Sequence, residues 1–112
     1  MTPLSAKEQA AARANDRIGT VLVLDQPGMR IWHLRLQPGE SLAAHRHDRP
    51  YVWTVLTDGT GRSRYGDGRV VDVSYVAGDT RHFADLTPQT AFVHDLTNTG
   101  TTELVFVTVE FG

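Results

Sequence analysis

Two histidines separated by one residue, in His45-Arg46-His47, carry the clearest chemistry in this chain. On a strand, residues two apart point to the same side with Cα atoms roughly 6.5 Å apart. Imidazoles leaning together from that spacing can share one metal ion at bonds of about 2.0–2.1 Å, while Arg46 points away and does not repel the cation. The ordinary alternative is a polar strand end. Three further histidines stand at His33, His82 and His94. Alternation in Thr80-Arg81-His82-Phe83-Ala84 would place Thr80, His82 and Ala84 together, so His82 is a candidate for the same cavity or a residue of its rim. His33 shares a face with Ile31 and Arg35 and reads as structural or exposed. Trp32, Trp53, Tyr51, Phe83 and Phe92 offer the apolar walls that small-molecule sites need, though core packing explains them equally. Arg35, Arg62 and Arg64 are candidate anchors for an anionic substrate, with solvated strand arginines as the ordinary reading.

The elements that must position these groups are strands. From Gly19 onward Val and Thr dominate, and turn signals recur at Asp25-Gln26-Pro27-Gly28, Gln37-Pro38-Gly39-Glu40, Asp58-Gly59-Thr60-Gly61, Tyr65-Gly66-Asp67-Gly68 and Asn98-Thr99-Gly100. Asn98 itself reads as a turn former. Between the turns the sequence predicts strands over 20–24, 29–36, 41–45, 51–57, 61–65, 69–76, 91–97 and 103–111. Short strands at this spacing argue an all-β sandwich or closed barrel. In the strand over 91–97, Phe92, His94 and Leu96 share one face, and Val93, Asp95 and Thr97 share the other. The last strand is apolar on both faces, Val105, Val107, Val109 and Phe111 against Leu104 and Phe106, which predicts a second sheet on one side and, on the other, either a further layer or a partner subunit in a homodimer. Ahead of the strands, Ser5-Ala6-Lys7-Glu8 fits a capping box before an alanine-rich run. That predicts a short helix or frayed arm over 3–16, within an arm of residues 1–18 preceding a barrel domain of residues 19–112.

Composition excludes several classes. The 112 residues amount to one domain, and 40% hydrophobic with 21% charged residues is ordinary globular chemistry. A net charge of −2 supplies no positive field for nucleic acid, and the absence of cysteine excludes disulfides and thiol catalysis. No apolar run approaches the ~20 residues of a membrane span, and the start lacks the apolar core of a signal peptide, so a cytoplasmic protein is expected. Neither a Gly-x-Ser-x-Gly elbow nor a phosphate-binding glycine loop occurs.

Taken together, Gly39, His45, His47 and Gly59, followed by His94 and Asn98, resemble the two motifs of the cupin superfamily, a likeness running from about Gly19 to Gly112. The resemblance implies a cupin-type β-barrel, or double-stranded β-helix (jelly roll), with a short N-terminal helix. It also implies a divalent transition metal (Fe, Mn, Ni, Zn or Cu) held by His45, His47 and His94. The first motif's glutamate, counted back from Gly59, falls on Val52, so the implied set is three neutral imidazoles with open positions. Tyr51 or His82 would then be the acid/base group or a further ligand. The function implied is a metal-dependent enzyme acting on a small organic molecule, of the dioxygenase, isomerase or lyase class. The alternative is a non-catalytic, metal-poor cupin that binds a small ligand or a partner.

Overall fold

A computed structural model describes residues 2–112. Among these residues one helix, α1 (Ala6–Arg13), precedes nine strands: β1 (Val21–Gln26), β2 (Met29–Leu36), β3 (Ser41–His47), β4 (Tyr51–Val55), β5 (Gly59–Arg64), β6 (Val70–Tyr75), β7 (Thr80–Phe83), β8 (Phe92–Asn98) and β9 (Leu104–Phe111). They form two antiparallel sheets, one in the order β1-β2-β9-β4-β7 and the other β3-β8-β5-β6. No helix among the described residues is long and apolar enough to cross a membrane.

The two sheets close over an apolar core of Leu34, Leu36, Val55, Leu96, Leu104 and Phe106, with Trp53, Tyr75 and Leu42 packed against it. Each side chain comes from the inward parity of its strand. In the β2–β9 ladder, Leu34 faces Phe106 and Leu36 faces Leu104. The alternate residues Ile31, Val107 and Val109 lie on the outer face of the same sheet.

The helix is shorter than the run over 3–16, and it is not a frayed arm. Its capping box is complete: the Glu8 amide donates to the Ser5 hydroxyl at 3.1 Å and the Ser5 amide to the Glu8 carboxylate at 3.0 Å. Leu4 and Ala12 pack with Val93 and Ala44, burying the helix against the outside of β3 and β8. A small residue at position 12 suits that close approach, which is why an alanine-rich helix without large apolar side chains can still dock. A charged clasp reinforces it. Arg64 on β5 donates to the buried Asp95 on β8 at 2.8 Å and to Glu8 on α1 at 2.8 Å. Asp95 also accepts the Arg64 backbone amide at 2.7 Å. Breaking such a pair from one side is costly, because the other charge stays buried without compensation.

The two motif glycines answer two different demands. Gly39 has φ +84°, a left-handed turn conformation that other residues adopt only with strain. Gly59 has an ordinary φ, but a Cβ there would lie 2.7 Å from the Leu104 side chain, so packing excludes it.

At one end of the β4–β9 ladder sits a buried acid, Glu110, opposite Tyr51. Its nearest cation, the Arg49 guanidinium, stands 4.0 Å away, and its Oε1 has no partner. Burial, the largest influence, pushes its carboxyl above the usual glutamate range, against the opposing pull of Arg49 and Arg30. The unfolded chain therefore releases this proton more readily than the folded one. The penalty is absent at acid pH, where both states are protonated, and grows as pH rises through the two pKa values. Glu110→Gln is accordingly expected to raise the urea midpoint at pH 8, with the gain vanishing near pH 4. A gain independent of pH would assign the effect to packing instead.

Candidate metal centre

β3 and β8 pair so that His45 lies directly opposite His94. Yet His45 and His47 reach the interior only because β3 is irregular. Leu42 pairs with Leu96 while His45 pairs with His94, so three steps on β3 match two on β8: a one-residue bulge at positions 43–44. The bulge reverses the parity of the strand. Leu42 packs on the core, and beyond the bulge His45 and His47 face inward as well, at 2% and 4% exposure. Without it, Ala44 and Arg46 would take those places. The segment after α1 secures the irregularity: the Asn15 side chain donates to the Ala44 carbonyl at 3.0 Å, and the Arg46 amide donates to the Asn15 carbonyl at 2.8 Å.

The three rings converge through their Nε2 atoms. His45 Nε2 lies 3.0 Å from His47 Nε2, which lies 3.1 Å from His94 Nε2. His45 Nδ1 donates to the Ala43 carbonyl in the bulge at 2.8 Å, which leaves its Nε2 lone pair bare and aimed at the cluster. Burial is the main cause depressing the pKa values: His45 falls to about 4, and His47 and His94 fall well below the usual histidine range. All three are therefore neutral imidazoles, the form that binds metal.

Neutral rings alone do not satisfy this geometry. If His94 donates from Nε2 to His47, the lone pairs of His45 and His47 face each other at 3.0 Å. If His47 carries the proton, His94 must hold its own on Nδ1, and that buried atom has no partner. A cation at the point of convergence would take up all three Nε2 lone pairs, with His94 again carrying its proton on Nδ1. No other group of three or more metal-ligating side chains converges among the described residues. The donor set fits a transition metal. Nitrogen separations of 3.0 and 3.1 Å are shorter than the ~3.4 Å edge of a tetrahedral site with bonds near 2.1 Å.

Aromatic rings wall the cluster. Tyr51 stacks on His47 with centroids 4.1 Å apart, and Phe83 stacks on Tyr51 at 4.5 Å. Phe92 and Tyr65 border His94 at 5.3 and 5.2 Å. The histidines open into a cavity of about 130 Å³ between the sheets, bounded also by Trp53, Ser63 and Tyr75. Burial raises the Tyr51 phenol, so its hydroxyl stays protonated at neutral pH.

The sequence-predicted residues fall into two sets. His45, His47, His94 and Tyr51 come together. His82 does not: β7 turns Arg81 and Phe83 toward the cavity, which leaves His82 exposed on the opposite face and removes it as the cavity's acid/base group. Val52 is also misplaced as the glutamate's counterpart. β4 turns Tyr51, Trp53 and Val55 inward, so Tyr51 holds that place and the spacing to Gly59 is one longer than the motif. None of the arginines considered as anchors lines the cavity. Arg35 pairs with Glu103, Arg62 with Asp72, and Arg64 with Asp95 and Glu8. Arg81, which does line it, drew no notice in the sequence, because four residues of edge strand carry too weak a pattern to reveal their parity.

Comparison with solved structures places this architecture. A cupin domain from Bordetella pertussis Tohama I superposes with a TM-score of 0.69 at 24% identity, covering 88% of this chain and 95% of that one. A Klebsiella pneumoniae protein described by its double-stranded β-helix domain gives 0.63 at 23% identity, covering 91% and 84%. A predicted oxalate decarboxylase from Thermotoga maritima gives 0.50 at 25% identity, covering 74% and 79%. No family model matches the chain, and no curated protein matches it significantly. The fold is the cupin double-stranded β-helix.

Proposed function

We propose that this cupin-fold chain is a metal-dependent enzyme of small organic molecules, with its ion held by His45, His47 and His94. The convergence of three buried Nε2 atoms carries the reading, because neutral imidazoles gathered on one point are a donor set that suits a divalent transition metal. The solved structures similar to this chain include one described as a predicted enzyme, which supports a catalytic use of the fold.

When bound, the metal would act as a Lewis acid on a substrate oxygen. The chain's own residues do the rest. The bulge carbonyl of Ala43 fixes the His45 tautomer. Tyr51 holds the His47 ring by stacking, and we assign its protonated hydroxyl as the candidate proton donor to a bound substrate. Phe83, Phe92 and the core side chains limit water in the cavity.

Chelator-treated protein reconstituted separately with Fe(II), Mn(II), Ni(II) and Zn(II) tests the reading. Elemental analysis after desalting is expected to find one ion per chain for at least one of them. No retained metal from the whole series would leave the non-catalytic ligand-binding barrel as the better account.

A further inference from the structure

We propose that Arg81 is the specificity-determining anchor of the cavity, and that its ligand is a monocarboxylate with a compact aromatic or apolar body. The inference rests on the cavity being the substrate site and adds the class of molecule that enters it.

Charge comes first. Among the described residues no aspartate or glutamate lines the cavity, and Arg81 is the single arginine or lysine on its wall. Most arginines of this chain are committed: among the described residues seven pair with carboxylates, namely Arg30, Arg35, Arg46, Arg49, Arg62, Arg64 and Arg69. Arg81 has no such partner among the described ion pairs, although it is placed at the mouth of a site. Its five donors are free for a carboxylate, which a guanidinium binds through two parallel hydrogen bonds.

Position comes next. β7 is the edge strand of its sheet, and the guanidinium lies 4.7 Å above the Phe83 ring. Phe83 stacks on Tyr51 and Tyr51 on His47, so one column of parallel groups runs from the rim to the histidine cluster. Seated on Phe83, Arg81 gives up less rotamer freedom on binding than an arginine loose in solvent, and it can reach a ligand lying along the column.

Size and polarity then narrow the class. A volume of about 130 Å³ lies well below the ~300–1,000 Å³ of drug-sized sites. The other walls are mainly aromatic and aliphatic: Phe83, Phe92, Phe106, Leu34 and Leu96. With its carboxylate at Arg81, the rest of the ligand lies against these side chains, which an apolar body matches. One carboxylate on an apolar body matches both ends.

Benzoate and its neutral isostere benzamide make the test, titrated by calorimetry into wild type, Arg81→Ala and Arg81→Lys, each in chelator-treated, metal-free form and again after reconstitution, with metal content measured in parallel. Wild type is expected to prefer benzoate about tenfold to a hundredfold, the worth of one charge-assisted contact. In the metal-free form Arg81→Ala should bring benzoate down to the benzamide level with benzamide binding unchanged, Arg81→Lys should keep part of the preference, and the reconstituted variants should match wild type in metal content. Equal binding of the two probes by wild type, no benzoate binding by wild type, or undiminished benzoate binding by Arg81→Ala would each overturn the proposal. Because chelator-treated protein is titrated too, a failure to load metal defeats the metal-enzyme reading while Arg81 is still tested.

Discussion

His47→Ala is expected to abolish stable metal loading, weakening affinity by more than about a hundredfold. Even groups that only support a metal-bound histidine are worth about 10–100-fold, so loss of a ligand must exceed that. Among the three, His47 is central: its Nε2 is the atom within 3.0 Å of His45 and 3.1 Å of His94. Removing it leaves two imidazoles, which cannot confine an ion that the surrounding aromatic rings do not ligate. The folded chain itself should survive, since the main apolar core at Leu34, Leu36, Val55, Leu96, Leu104 and Phe106 does not include this residue. His82→Ala supplies the control. Its ring stands exposed on the far face of β7, so metal content should match wild type. Unaltered stoichiometry and affinity in His47→Ala, measured by elemental analysis and calorimetry, would dismiss the three-histidine centre.

Asn98→Ala should produce a stability loss of about 3–5 kcal/mol, read as a lower urea midpoint at unchanged slope. The side chain is wholly buried and spends both its ends. Its Nδ2 donates to the Leu36 carbonyl at 2.9 Å and to the Thr102 carbonyl at 2.8 Å, while Oδ1 accepts the Gly100 amide at 2.9 Å. Truncation strands two carbonyls and one amide where water has little access. These bonds also join the end of β2 to the end of β8 and to the turn entering β9, so one side chain ties both sheets together. Asn98→Asp should be no milder, because it sets oxygen lone pairs against the same two carbonyls. A loss below about 1 kcal/mol would mean that water takes over these bonds and that the side chain is an ordinary turn residue.

That result bears on how Asn98 reads in the sequence. Asn98-Thr99-Gly100 signals a turn, and the bond to the Gly100 amide is that turn's own. The bonds to Leu36 and Thr102 are invisible along the chain, since Leu36 lies 62 residues away. The same division applies to α1. Its capping box is local and legible, whereas its docking depends on Val93, Ala44 and the Asp95–Arg64–Glu8 clasp, which only the folded sheet assembles.

Local covalent rules thus determined the strand-rich class, the turns, the helix start and the fact that His45 and His47 share a side, because side-chain alternation and turn chemistry operate over a few residues. Which side they share was decided in three dimensions, by a bulge that exists only where β3 meets β8 and that reverses parity between Leu42 and His45. Strand parity likewise chose Tyr51 over Val52 and Arg81 over His82, through ladders with partners distant in the chain. A pattern of period two is blind to direction, and direction is settled by what the opposite sheet can bury.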